Sequence, residues 1–110
     1  MKASNLDRTL AALADPYRRR VIDLLRERPH RAGELAQAMR LSFPAMSRHL
    51  RTLRRSGLVE EDRDEFDSRV RIYHLKRGAI AALRTWLAET DALWARQLGA
   101  LKAHLQKTRR

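Results

Sequence analysis

Residues 41–57, LSFPAMSRHLRTLRRSG, contain the helix that decides the fold of this chain. Ser42 is a good N-terminal cap for that helix, although Phe43, which precedes a proline, is an alternative cap. Gly57 suits the left-handed position at which helices close. We therefore predict a helix over 43–56, bounded by residues that favour its start and its end.

The predicted helix has two unlike faces. At about 100° per residue, Met46, Leu50 and Leu53 fall on one side and form an apolar stripe that we expect to be buried. The other side is small at its start and cationic along its length, and it comprises Pro44, Ser47, Arg48, Arg51 and Arg55. Small residues allow close approach to base edges, and arginines further along reach phosphates or guanine. The pattern is typical of a DNA recognition helix.

Charge is segregated along the chain. Residues 35–59 contain no acid, whereas residues 60–67 contain six of the chain's thirteen acids. The formal net charge of +11 indicates a polyanionic partner. Nucleic acid is the favoured candidate, and an anionic membrane surface is the alternative candidate. An ordinary solvated arginine face is the alternative. Like charges without acidic partners one turn away are mildly destabilising, which favours DNA contact.

Composition narrows the class of protein. The 110 residues suffice for one domain with one modest core. The absence of cysteine excludes disulfides, thiolate metal sites and cysteine nucleophiles. The sequence lacks an apolar run of 18 residues and an apolar N-terminal signal, so we expect a cytoplasmic protein. The histidines are scattered, so we predict no metal site. The serines have no positioned His–acid partner, and there is no phosphate-binding glycine loop, so we predict no enzyme activity and no cofactor.

Prolines and glycines divide the rest of the chain into short elements. Asp15 and Pro16 favour a helix start. The apolar stripe of the helix that follows comprises Tyr17, Val21, Leu24 and Leu25. Val70 and Ile72 alternate with arginines, which predicts a hairpin strand after a turn near 64–68. The predicted order is a helix at 5–14, the helix from Pro16, a short helix at 32–39, the helix at 43–56, a hairpin at 58–75 and a long helix at 79–105.

Three segments together resemble the winged helix-turn-helix of the ArsR family of bacterial transcriptional repressors. They are LADPYRRRVIDLL at 13–25, AGELAQAM with LSFPAMSRHLRTLRRSGLV at 32–59, and RIYHL at 71–75. The resemblance covers residues 6–76 closely and the last helix in outline. It implies a mainly α winged helix of order α-α-α-α-β-β-α in a single domain, 1–110. The helix-turn-helix would lie at about 32–56, the wing at about 58–75 and the dimerisation helices at about 5–14 and 79–105.

The resemblance also implies a homodimeric repressor that binds double-stranded operator DNA and leaves it when a signal arrives. The positions that match the family's DNA-reading motif are Ser42, Pro44, Ala45, Ser47, Arg48, His49 and Arg51. The predicted DNA-binding set also includes Phe43 in the first turn. Further cations that we expect to act mainly electrostatically are Arg54, Arg55, Arg69 and Arg71.

Three features depart from the family pattern. Arg31 stands where many relatives have a Ser or Thr that caps the supporting helix, and it cannot cap in that way. Residues 63–68, RDEFDS, give the wing an acidic tip that should repel phosphate, where relatives often have a basic, glycine-containing tip. Metal-sensing relatives use cysteines or paired ligands in the last helix, which here offers only Glu89, Asp91 and a lone His104.

The last helix has an apolar stripe too wide for a single contact, so it should bury against its own domain and against another chain. We therefore predict a homodimer. Its interface residues are Leu6, Leu10, Leu13, Trp86, Leu93, Trp94 and Leu101. Trp86 and Trp94 could instead line an effector pocket, although packing is the preferred interpretation.

Two other classes of function remain open from sequence. A nucleoid-type architectural protein that coats DNA without sequence choice would suit the charge alone. A protein-interaction module would use the wide apolar helix to hold a partner. A ratio of specific to non-specific DNA affinity near one would indicate the architectural protein. Failure to bind any duplex would indicate the interaction module.

Overall fold

A computed structural model describes residues 4–109 and confirms a mainly helical winged-helix fold. Its elements are α1 (Asn5–Leu13), α2 (Pro16–Glu27), β1 (His30–Arg31), α3 (Ala32–Met39), α4 (Phe43–Arg55), β2 (Val59–Arg63), β3 (Arg71–Leu75) and α5 (Ala81–Thr108). The predicted order of helices and hairpin is confirmed, and β1 is an addition. The chain divides into two compact units, one ending at Ile80 and the other beginning at Ala81.

Helices α2 and α4 begin where their predicted caps lie. Asp15 accepts hydrogen bonds from the backbone N–H of Tyr17 at 2.7 Å and of Arg18 at 3.3 Å, ahead of a proline in the first turn. At the start of α4, the Ser42 hydroxyl accepts from the backbone N–H of Ala45 at 3.2 Å. Ser42, and not Phe43, is therefore the cap of α4.

Two arginines of α2 cap the C-terminal end of α1. Arg18 Nε donates to the carbonyl of Ala12 at 2.6 Å, and Arg19 Nη1 donates to the carbonyl of Leu13 at 2.7 Å. Each guanidinium makes a second, longer bond to a neighbouring carbonyl of the same turn. Since the last carbonyls of a helix have no partner within it, these arginines satisfy groups that would otherwise depend on water.

The core lies where α2, α3 and α4 meet the sheet. Its larger apolar members are Val21, Leu25, Leu35, Met46, Leu50, Leu53, Leu58, Val59 and Tyr73. The buried stripe predicted for α4 is confirmed, because its three members are 0–1% exposed. The stripe predicted for α2 is wrong at Tyr17, which is 50% exposed. Tyr17 lies in the first turn of α2, and its ring stacks on His49 instead of entering the core.

The small sheet is antiparallel throughout, in the order β1-β3-β2. In β2 and β3 the paired positions include Glu60 with His74 and Glu61 with Tyr73. Residues 64–70 connect these two strands, as the turn predicted near 64–68 requires. The two-residue strand β1 was missed because it is too short to show a periodic pattern.

The second unit consists of α5, which is 28 residues long. It begins and ends two to three residues later than the predicted 79–105, within the usual uncertainty of helix ends. In the single chain, none of its described residues is buried. Over residues 4–109, no helix combines the length and apolar character needed to cross a membrane.

Candidate nucleic-acid interface

The turn between α3 and α4 sets the direction of the recognition helix. Arg40 adopts a left-handed conformation with φ of 55°, which closes α3. The N–H of Leu41 then bonds the carbonyl of Ala36 at 3.0 Å, and the Leu41 side chain packs against the core. A residue other than glycine in this conformation is uncommon and costs about 1 kcal/mol or more. The short turn brings α4 directly against α3, as a helix-turn-helix requires.

The supporting helix α3 has only half of a capping box. The N–H of Arg31 donates to Glu34 at 3.1 Å, and this bond is the main cause that lowers the pKa of the Glu34 carboxyl. The guanidinium of Arg31 has no acceptor atom, so it makes no cap, as predicted. It donates instead to Asp64 in the wing, at 2.9 Å.

Three arginines stand unpaired on the outward face of α4. Arg48, Arg51 and Arg55 are exposed, and none of them forms an ion pair with another residue of the described chain. Their positive charge is therefore available to an external anion. Because the opposite face of α4 is fully buried, the helix cannot rotate to hide them.

The start of α4 presents small and apolar groups. Ser42, Phe43 and Pro44 are exposed, while Ala45 and Ser47 are half-buried. Phe43 is 60% exposed, so this aromatic ring lies on the surface among the residues predicted to read bases. The backbone N–H groups of this first turn add a partial positive charge that suits phosphate.

Arg54 and Arg71, which were predicted to act electrostatically on DNA, share an internal counter-charge. The carboxylate of Glu61 lies 3.3 Å from Arg54 and 3.9 Å from Arg71. The hydroxyl of Tyr73 also donates to Glu61, at 2.8 Å. Burial, together with this carboxylate, raises the pKa of Tyr73 to about 12. These two arginines are thus partly neutralised, unlike the free cations of α4.

Arg69 is likewise paired, within the loop between β2 and β3. Its guanidinium donates to both oxygens of Asp67, at 3.2 and 3.3 Å. These bonds are the main cause that lowers the pKa of the Asp67 carboxyl. The side chain of Arg69 remains 89% exposed, so the pair is a surface contact that water weakens.

His74 occupies the solvent-facing side of the hairpin with two acids. Its Nε2 lies 2.6 Å from Asp62 and 3.9 Å from Glu60, and its Nδ1 lies 3.2 Å from the carbonyl of Leu75. The Leu75 carbonyl first, and then the two carboxylates, raise the pKa of His74. His74 is thus a strand residue whose two ring nitrogens both have partners. Within residues 4–109, no group of three His, Asp or Glu side chains is placed to hold a metal ion.

Sequence reasoning missed Tyr17 as a site residue. Its ring stacks on His49 of α4, with 5.8 Å between the ring centroids and 29° between the planes. Burial acts to raise the pKa of Asp15, but the N–H groups of Arg18 and Tyr17 outweigh it and the net pKa is lowered. No local pattern signals a stack between residues so far apart in sequence.

An open cleft of about 520 Å³ runs between the end of α4 and β2. Its lining includes Arg51, Arg54, Arg55, Gly57, Val59, Glu60, Glu61 and Lys76. Four cations and two acids meet here, so the cleft continues the positive surface of α4 towards the hairpin.

The residues predicted for a dimer interface are accessible in the single chain. In α1, Leu10 is 40% exposed and its two companions, Leu6 and Leu13, are partly buried. The four predicted members in α5 are 42–62% exposed and comprise Trp86, Leu93, Trp94 and Leu101. Large apolar side chains are therefore accessible on each of these helices taken by itself.

The fold is that of a winged helix-turn-helix regulator that binds DNA. It combines a short supporting helix, a recognition helix with one buried and one cationic face, and a β-hairpin. Within that class, residues 15–61 match the family model described as bacterial regulatory protein, arsR family. The chain belongs to the ArsR family, which is one of transcriptional regulators and not of enzymes. The resemblance seen in the sequence is thus confirmed.

Relatives extend this similarity beyond the matched segment. The HTH-type transcriptional regulator Rv2034 of Mycobacterium tuberculosis is 39% identical over 92 residues, which are 84% of this chain and 80% of that protein. The transcriptional repressor SdpR of Bacillus subtilis is 31% identical over 58 residues, covering 53% of this chain and 64% of SdpR. Among solved structures, an ArsR-like transcriptional regulator from Rhodococcus sp. RHA1 has a TM-score of 0.74 at 28% identity and covers 89% of this chain and 90% of that one.

Proposed function

We propose that this chain is a homodimeric repressor that acts in the cytoplasm and binds an inverted-repeat operator with α4 in the major groove. The observation that carries the proposal is the pair of unlike faces of α4. Met46, Leu50 and Leu53 fix the helix in the core, and the arginines opposite them have no partner within the described chain.

The two ends of α4 would make different contacts with DNA. The small residues of the first turns, from Ser42 to Ser47, would approach base edges. Arg48 and Arg51 would read bases or grip phosphates, and Arg55 would act on the backbone. Arg54, Arg69 and Arg71 would contribute less than these three, because each has a carboxylate partner.

The homodimer is supported by the exposed apolar side chains of α1 and α5. A two-fold axis would place the two copies of α4 about 34 Å apart, in successive major grooves. The direction of regulation is supported by similarity to SdpR, a protein described as a transcriptional repressor.

Selection of bound duplexes from a random DNA pool tests sequence recognition. We expect one enriched sequence with two half-sites in inverted orientation. Arg51→Ala should then weaken the selected duplex more than a scrambled duplex. Arg55→Ala should weaken both to a similar degree and flatten the salt slope by about one. Equal losses on both duplexes for both variants would contradict direct readout.

A second function, non-specific coating of DNA, is favoured by the net charge of +11. It predicts no enriched sequence and a ratio of specific to non-specific affinity near one at physiological salt. The paired arginines count against it, because a coating protein gains from every free cation.

A further inference from the structure

An open cavity of about 370 Å³ lies where the start of α2 meets the end of α3. Its lining consists of Pro16, Tyr17, Arg20, Ala38 and Met39. The walls are mainly carbon, sulfur and an aromatic ring, and Arg20 adds a cation. Sites for small molecules have this composition, with apolar walls and a few polar groups that fix orientation, and volumes from about 300 Å³ upwards. The cavity therefore has the size and lining to take a small organic molecule.

The walls of this cavity suit a flat ring. Tyr17 is 50% exposed and Ala38 is exposed, so neither side chain is committed to the core. Met39 is partly buried and packs against the core, which fixes its part of the wall. Aromatic rings stack on one another and make favourable contacts with a thioether sulfur. A planar aromatic group thus matches the lining better than a branched aliphatic one.

Arg20 brings to the cavity a positive charge that has no counter-charge within the described chain. It is exposed and forms no ion pair with another described residue. Its neighbours Arg18 and Arg19 are engaged with carbonyls at the end of α1, and Asp23, one turn further along, pairs with Arg26 at 2.6 Å. The paired N–H groups of a guanidinium match the two oxygens of a carboxylate. Charge complementarity therefore favours a carboxylate ligand.

The cavity borders two features that position the recognition helix. Tyr17 contributes its ring both to the cavity and to the stack on His49 of α4. Ala38 and Met39 lie in the last turn of α3, directly before Arg40, whose left-handed conformation begins the turn into α4. A molecule bound here touches the ring that holds His49 and the helix end from which α4 departs.

We propose that this cavity is an effector site for a small aromatic carboxylate, whose binding draws the Tyr17 ring away from His49 and weakens DNA binding. The carboxylate pairs with Arg20, and the aromatic ring lies against Tyr17 and Met39. The inference rests on the proposed function, since the signal is read as a loss of DNA affinity. Because the two binding events are linked, DNA must weaken binding of the carboxylate by the same factor.

Binding without DNA is tested on the full chain with benzoate, phenylacetate and 1-naphthoate as probes. An NMR titration should give saturable shifts of the Tyr17 ring and of the His49 imidazole with at least one of them. Benzamide lacks the charge and acetate lacks the ring, so each should bind more weakly by a factor on the order of ten. No saturable binding by any of the three aromatic carboxylates overturns the site, and so does equal binding of benzamide and benzoate.

Two substitutions in the lining, with one control, locate the site. Arg20→Gln should weaken binding of the tightest probe on the order of tenfold, because the charge-assisted bond is lost. Ala38→Leu should weaken it at least as much, because the larger side chain fills the cavity from an exposed position that tolerates it. Arg8→Gln makes the same charge change at an exposed arginine outside the lining and should bind like the wild type. Wild-type probe affinity in both lining variants overturns the proposal, and urea unfolding checks that each variant is folded.

Duplex binding with and without saturating probe tests the link to DNA. The probe should reduce wild-type affinity for a duplex selected from a random pool about 3- to 10-fold, the scale of the lost ring stack. Acetate at the same concentration controls for ionic strength, and Arg20→Gln should not respond to the probe. A probe that binds but leaves wild-type duplex affinity unchanged overturns the effector role and leaves the repressor proposal standing. Failure of the wild type to select or bind any duplex overturns both.

Discussion

Tyr17 and His49 form a ring stack that joins the start of α2 to the DNA-facing helix, with 5.8 Å between centroids. Both side chains lie at the edge of the core, where Tyr17 is half-exposed and His49 is partly buried. The stack thus orients a histidine that belongs to the DNA-reading motif implied by the family.

Removal of the Tyr17 ring should weaken DNA binding. Tyr17→Ala is expected to reduce affinity for the selected duplex about 3- to 10-fold, because aromatic pairs contribute about 0.5–1.5 kcal/mol. Tyr17→Phe keeps the ring and should bind like the wild type. Fluorescence anisotropy with a labelled duplex measures both. If Tyr17→Phe loses as much as Tyr17→Ala, the hydroxyl and not the stack is responsible.

Glu61 limits the number of cations available to DNA. Glu61→Gln should release Arg54 and Arg71, tighten binding to random duplexes and steepen the salt slope by about one to two units. Glu65→Gln is the matched control, because it makes the same charge change at an acid without an arginine partner in the described chain. Affinity measured against salt concentration distinguishes them. Identical slopes for the two variants would show that Glu61 does not restrain these arginines.

Ser42 combines a structural and a DNA-binding role that substitution can separate. Ser42→Ala removes the cap bond to Ala45 and should lower the free energy of unfolding by about 1 kcal/mol. Ser42→Asp keeps a cap and suits the helix dipole, so unfolding should change little while DNA binding falls through repulsion of phosphate. Urea unfolding and duplex binding are measured on both variants. A Ser42→Asp protein that binds DNA normally would place Ser42 outside the interface.

His74 should make the stability of the wing depend on pH. Its pKa is raised in the folded chain, so its contribution is fully present below the unfolded pKa of about 6.5 and is lost as pH rises through the folded pKa. The stability gap between wild type and His74→Gln should therefore be larger at pH 5.5 than at pH 8.5. Urea midpoints across this range give the gap. A gap that does not change with pH would mean that the contacts with Asp62 and Glu60 do not favour the protonated ring.

An acid on the apolar stripe of α5 should separate the proposed dimer. Leu101→Asp is expected to halve the mass seen by sedimentation at micromolar concentration, because burial of an unpaired carboxylate is costly. Gln97→Asp introduces the same charge at a polar position of the same helix and should leave the mass unchanged. A wild-type monomer under these conditions contradicts the dimer itself.

The features of this protein that can be predicted from sequence are those that depend on residues close together in the chain. The buried stripe of α4, its cap and the hairpin arise from residues within one element, where periodicity and capping are legible. The ion pair of Arg31 with Asp64 joins residues 33 apart, and the Glu61 contacts join α4 with both hairpin strands. Such pairings depend on the assembled fold. For this reason the sequence indicated a generally basic surface and an acidic wing. Within the described residues, the fold leaves Arg48, Arg51 and Arg55 of α4 without an ion pair and places an arginine beside Glu61, Asp64 and Asp67.

The arginine caps between α2 and α1 have a mechanical consequence. Four hydrogen bonds from Arg18 and Arg19 hold the end of α1, so α1 cannot pivot without breaking them. If two copies join through α1, a change in the packing between them would be passed to α2 through these bonds. Because α2 and α4 share one core, such a change would also alter the span between the two recognition helices.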